Sequence, residues 1–172
     1  MLLSHIGSLP LEISMPTKIA VFVDVQNIYY TTRDAYKKQF NYRTFWQHLS
    51  AQGDIMIANA YATERHDTQQ QKFQAALKHI GFNVKLKPFI QRSDGSAKGD
   101  WDVGITIDVL DAAEQVDRVV LLSGDGDFDL LLKTVKNKHG VDTHVYGVPS
   151  LTANSLVNAC DTFVEIDKSL LQ

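Results

Sequence analysis

The chain has 172 residues, 44% of them hydrophobic and 22% charged, with a formal net charge of −3. Those values fit one globular domain and argue against a broadly basic surface of the kind that coats duplex DNA, while leaving room for a local basic groove. The single cysteine, Cys160, rules out an internal disulfide and points to a reducing, cytoplasmic setting, and no apolar run approaches the roughly 18 residues needed to cross a membrane.

The N-terminus, MLLSHIGSLPLEISMPTKIAVFVD, lacks a cationic start and a long apolar core, so it makes a poor signal peptide. Residues 1–15 are expected to be a peripheral extension, with 16–172 forming a single domain. Lys18 to Val23 is an apolar, β-branched run, the pattern of a strand buried on both faces. Residues 54–62 predict a second strand. In 67–80, Phe73, Ala76, Leu77 and Ile80 share one helical face, and Gly81 closes the helix. Phe82 to Leu86 predict a third strand, and 93–100 (SDGSAKGD) a loop. Then follow a helix over 101–114, a strand over 118–122, a helix over 128–138, a strand over 141–146, a short helix over 151–159 and a last strand over 163–166. Phe40, Phe45 and Trp46, near the first helix, are candidates for core or for a homodimer interface.

Strands alternate with helices and are apolar throughout, which predicts an α/β fold: a mainly parallel sheet covered by helices on both faces. In such sheets the functional crevice lies beyond the C-terminal strand ends, where strand order reverses. Aspartates stand at those ends. Asp24 and Asn27 follow the first strand, Ser123, Asp125 and Asp127 follow the fourth, and Asp102 opens the helix before it. Two unit charges about 4 Å apart repel by roughly 4 kcal/mol at an effective dielectric near 20. Several carboxylates in one crevice must therefore hold protons or a cation. Oxygen-only ligands suit Mg²⁺ or Mn²⁺, and the scattered histidines and lone cysteine show no zinc spacing. A carboxylate-held divalent ion activates water and steadies an oxyanion in phosphodiester cleavage.

Plainer roles compete. Asp127 can cap the helix from Phe128, and Asp102 can complement its own helix dipole. Asn27 can cap a local turn. Asp108 lies six positions beyond Asp102, about 240° round the helix, so it is either a buried hydrogen-bonding residue or a supporting member of the site. Asp129 is expected to face solvent, and Asp100 stands in a loop. Gly124 and Gly126 allow either φ > 0 or close backbone approach. DGDFD does not continue as an EF-hand, since Leu130 and Lys136 stand where Gly and Glu are needed. GxGxxG, P-loop and GxSxG motifs are absent.

FVDVQN, KGDWDVGITIDVL and LLSGDGDFDLLL, followed by HGVDTHVYG and NACDTFVEI, resemble the NYN domain family, and within it the LabA-like bacterial branch of the PIN-like nuclease superfamily. The likeness runs from about Lys18 to Ile166. It implies a three-layer α/β/α PIN-like fold with five to six strands in the order 3-2-1-4-5, a divalent-metal site and ribonuclease-type hydrolysis. Carried onto this sequence, it makes Asp24, Asn27, Asp102, Asp125 and Asp127 the catalytic set. Asp24, Asp102, Asp125 and Asp127 would be ligands of Mg²⁺ or Mn²⁺, with Ser123 and Asp108 supporting them.

Single-stranded RNA is the expected substrate. Lys85, Lys87, Arg92 and Lys98, interleaved with Phe89, suit phosphate contact beside a stacked base, although an ordinary solvated loop has the same composition. Tyr29, Tyr30 and Arg33 follow the first motif and can line the crevice; Arg65 and His66 follow the second strand. Two other readings share the acidic crevice: a non-catalytic metal- or nucleotide-binding regulator of the LabA-like type, and a small-molecule phosphatase.

Overall fold

The first strand sets the layers. Within β1 (Lys18–Asp24), every residue from Ile19 to Val23 is fully buried. Ile19, Val21 and Val23 pack into one apolar cluster, and Ala20 and Phe22 into another on the opposite face. A strand with apolar side chains on both faces requires helices on both faces.

The computed structural model describes residues 15–88, 90–91, 97–98 and 100–172; at 90–91 and 97–98 it describes the backbone. The expected extension, apart from the exposed Met15, lies outside the described residues, as do Phe89 and Arg92. The strands after β1 are β2 (Asp54–Glu64), β3 (Asn83–Pro88), β4 (Ile90–Gln91), β5 (Ala97–Lys98), β6 (Arg118–Leu122), β7 (Asp142–Gly147) and β8 (Thr162–Glu165). Six of them form one sheet in the order β3-β2-β1-β6-β7-β8, every neighbouring pair parallel. Numbered within that sheet alone, the order is 3-2-1-4-5-6, the expected order extended by the last strand. β4 and β5 form a separate antiparallel pair, so Ala97 and Lys98, expected as loop, are in a short strand.

The helices are α1 (Val25–Tyr36), α2 (Tyr42–Ser50), α3 (Thr68–Ile80), α4 (Asp102–Ala113), α5 (Asp129–His139) and α6 (Asn154–Ala159). Residues of α1, α2 and α3 belong to the first cluster, and residues of α4, α5 and α6 to the second. Side-chain caps start α1 and α2: Asp24 accepts from the Asn27 amide, and Asn41 accepts from the Thr44 amide. Their buried faces are sparse, at Val25, Ile28 and Thr32 in α1 and at Tyr42, Phe45 and Leu49 in α2. Phe40 and Phe45 are buried, and Trp46 packs edge-on against Phe82 with ring centroids 5.0 Å apart, so these aromatics belong to the core. Gly81 ends α3 with φ +137°, and a Cβ there would stand 2.7 Å from the Trp46 ring.

β1 leads through α1 and α2 to β2 on one side, while β6 flanks it on the other. The strand order therefore reverses between β1 and β6, and the crevice of a parallel sheet opens at that point.

Candidate functional site

The junction of β1 with α1 and the loop that leaves β6 are stitched together by hydrogen bonds. Ser123, fully buried at the end of β6, donates its hydroxyl to Asp24 Oδ2 at 3.1 Å. The Ser123 hydroxyl oxygen in turn accepts from the Asp125 amide at 3.1 Å. Asn27 Oδ1 accepts from the Gly124 amide at 2.9 Å. Asp24 also caps α1, with Oδ1 3.4 Å from the Asn27 nitrogen. Asp24 and Asn27 thus hold the β6 loop in place.

Gly124 and Gly126 are needed for close approach. The positive-φ glycines among the described residues are Gly81 and Gly140. A Cβ on Gly124 would stand 2.5 Å from the Leu151 carbonyl oxygen, and one on Gly126 2.9 Å from the Ala153 Cβ. The segment after β7 therefore lies against the loop, and the Ala153 amide donates to the Gly124 carbonyl at 3.0 Å. In the sequence, only the place of 148–153 after a strand end hints at that support.

Asp125 rather than Asp127 does the capping here. Its Oδ1 accepts from the Asp127 amide at 2.9 Å, starting the short turn Gly126–Phe128. α5 begins with no side-chain cap, and the Asp127 carboxylate is exposed. Capping therefore does not explain Asp127.

Asp102 comes from the other side of the crevice, in the first turn of α4. The preceding Trp101 is anchored by its indole N–H, which donates to the Ala62 carbonyl at 2.9 Å. A Cβ at position 104 would stand 2.6 Å from the Trp101 ring, so Gly104 is what lets the indole fold onto the helix start. One carboxylate oxygen from each of Asp102, Asp125 and Asp127 lies within 4.8 Å of the others. Asp24 is not of this trio and reaches it through Ser123.

The electrostatics match the geometry. Burial above all, then the charges of Asp125, Asp100 and Asp24, push the Asp102 carboxyl up to about 7. Burial likewise raises Asp24 to about 6, against the downward pull of the Asn27 amide and the Ser123 hydroxyl. Asp100 adds to both shifts; its Oδ1 accepts from the Asp102 amide at 3.3 Å.

Other expected site residues lie elsewhere. The Asp108 carboxylate accepts from the Tyr61 hydroxyl and from Lys85 Nζ, both at 2.7 Å, and not from a group of the trio. Lys85 is thereby occupied in an ion pair. Lys87 Nζ donates to the Asp100 carbonyl and lies 4.6 Å from the Trp101 ring centroid, bracing the approach to α4. Arg92 and the side chain of Lys98 lie outside the described residues.

The NYN domain pattern matches residues 18–167. The chain belongs to the NYN domain family. It is 32% identical to the low amplitude and bright protein LabA of Synechococcus elongatus, with 88% of this chain and 85% of LabA covered. A protein of unknown function from Vibrio parahaemolyticus has a solved structure that is 48% identical. It superposes with a TM-score of 0.88, covering 92% of this chain and 98% of that one. Within the NYN domain, the motifs FVDVQN, KGDWDVG and SGDGD supply the Asp24 cap, the Asp102 helix start and the β6 loop. NYN domains are in general nucleases that use divalent metals.

Proposed function

We propose that this NYN domain is a divalent-metal-dependent ribonuclease that hydrolyses phosphodiester bonds of single-stranded RNA. The observation that carries the reading is the trio Asp102, Asp125 and Asp127, oxygens within 4.8 Å, beside Asp24 at the point where strand order reverses.

The donor set fits a hard cation. All its donors are carboxylate oxygens, the ligand type that suits Mg²⁺ and Mn²⁺. Asp102, Asp125 and Asp127 would hold Mg²⁺ or Mn²⁺, and Asp24, one hydroxyl away, adds a fourth negative charge. When bound, such an ion supplies an activated water and neutralises charge on the phosphoryl oxygens. The chain's own part is positioning. Ser123 fixes Asp24 relative to the Asp125 backbone, Asn27 fixes Gly124, and Trp101 fixes the start of α4. The raised Asp102 and Asp24 carboxyls release their protons near neutral pH, so occupancy by a dication is expected to rise with pH.

The deciding experiment incubates purified protein with end-labelled single-stranded RNA, in chelator and then with Mg²⁺ or Mn²⁺. Cleavage is expected with metal, is lost in chelator, and is lost in Asp125→Asn. A metal-dependent rise in melting temperature without cleavage of any RNA would assign the site to a non-catalytic metal-binding module. Turnover of phosphomonoesters in place of RNA would assign it to a phosphatase.

A further inference from the structure

A second feature lies on the face of the sheet covered by α1, α2 and α3. A groove of about 890 Å³ runs between α1, the start of α2 and α3. Its lining includes Val25 and Gln26, which follow Asp24 in the chain. Four cationic side chains line it, Arg33, Arg43, Arg65 and Lys72, and among its described lining residues there is no Asp or Glu. In a chain of net charge −3 that is a concentrated positive strip.

Its aromatic content is equally uneven. Tyr29 and Tyr30 are 46% and 44% exposed, large rings left open to solvent in the first turns of α1. They meet edge-on with centroids 5.3 Å apart. The Arg33 guanidinium lies 5.3 Å from the Tyr29 centroid and 5.5 Å from that of Tyr30. Solvent-facing rings framed by guanidinium and ammonium groups form the recurring platform for single-stranded nucleic acid, where bases stack and phosphates meet cations. A helix rises about 1.5 Å per residue, so Tyr30 stands only about 9 Å along α1 from Asp24.

We infer that the α1–α3 groove is the seat of the single-stranded RNA segment flanking the scissile phosphate, with a base on Tyr29 and Tyr30 and phosphates on Arg33, Arg43 and Lys72. The assignment rests on the ribonuclease reading for its substrate, and it does not call on Lys85 and Lys87, which are engaged by the Asp108 carboxylate and the Asp100 carbonyl. Charge decides the occupant: a polyanion complements this strip, and the open rings favour one whose bases are unpaired.

The test measures binding apart from cleavage. Fluorescein-labelled oligouridylate is titrated into the full chain in chelator, and anisotropy is followed at several salt concentrations. Tyr30→Ala is expected to weaken binding about fivefold or more. Arg43→Gln/Lys72→Gln is expected to weaken it and to lower the slope of log affinity against log salt by about 1.4. Lys18→Gln/Lys138→Gln, the same charge change away from the groove, is expected to bind as the parent does. Melting temperatures verify that each variant folds. The assignment is overturned if the groove variants bind like the parent, if the control pair loses as much, if chelated protein binds no oligouridylate, or if polyglutamate competes as well as RNA. Binding of the expected kind with no cleavage under any metal keeps the groove and removes the nuclease reading.

Discussion

Ser123 is the residue through which the two halves of the site communicate. It is fully buried, and its hydroxyl both donates to Asp24 and accepts from the Asp125 amide. Ser123→Ala deletes both bonds and leaves a carboxylate oxygen and an amide short of partners in a partly buried place. Leaving such groups unsatisfied costs about 1–3 kcal/mol. Urea denaturation is expected to show a loss of that size, together with a weaker metal-induced thermal shift; an unchanged midpoint would mean the hydroxyl does not link the loops. Asp125→Asn acts in the opposite sense on the metal-free protein. An amide oxygen can still accept from the Asp127 amide, while the charge that ranks just after burial in raising Asp102 disappears. The chelated variant is expected to melt higher than the parent above neutral pH, and with metal to cleave RNA about 100-fold more slowly or worse. A variant that melts lower in chelator would show that Asp125 contributes more by hydrogen bonding than it costs by repulsion.

At the scale of elements, the start of α4 depends on one glycine. Gly104→Ala places a methyl 2.6 Å from the Trp101 ring, and the ring must move. Its movement strains the indole bond to the Ala62 carbonyl and the packing on Tyr61, and it shifts the first turn that carries Asp102. Overpacking of this kind costs about 1–3 kcal/mol. Tryptophan emission is expected to shift, and Mn²⁺ to bind more weakly, although no carboxylate has changed; parental emission and affinity would mean the ring is not the positioning device. The same elements show what a linear chain can and cannot reveal. Strands β1 and β6 are legible because burial on both faces requires uninterrupted apolar runs, and the aspartates stand where such runs stop. α1 and α2 are less legible: they depend on Asp24 and Asn41 caps and bury only a few side chains each. The Lys85–Asp108 pair joins residues 23 positions apart across a strand–helix contact, so sequence offered Lys85 to RNA and Asp108 to the site. The β6 loop glycines were legible as necessary, but only tertiary placement distinguishes close approach to 151–153 from a left-handed backbone.

For the whole molecule, a net charge of −3 conceals two opposed regions, an acidic strand edge and a cationic groove. The acidic edge makes stability depend on pH in a way that can be signed. Asp24 and Asp102 titrate at about 6 and about 7 in the folded chain, against a usual 3.8. Between those values the folded state binds more protons than the unfolded state, so in chelator stability falls as pH rises from about 4 to about 7. Below that window both states are protonated and the relative benefit is complete. His144 works against this trend, because burial holds it below its usual 6.5 and folding there gains as pH rises. Asp161, held low against burial by Lys136 and Thr143, contributes stability that is lost only as pH falls below its usual 3.8. Comparing the parent with Asp102→Asn isolates the acidic edge, since His144 and Asp161 are common to both. The variant is expected to lose much of the fall between pH 4 and 7. Mn²⁺ is expected to flatten the parent's curve, because a bound dication favours the ionised carboxylates that protons otherwise neutralise. Parallel curves for parent and variant, with or without Mn²⁺, would mean that folding does not raise the Asp102 carboxyl, and the electrostatic basis for a metal at this edge would be gone.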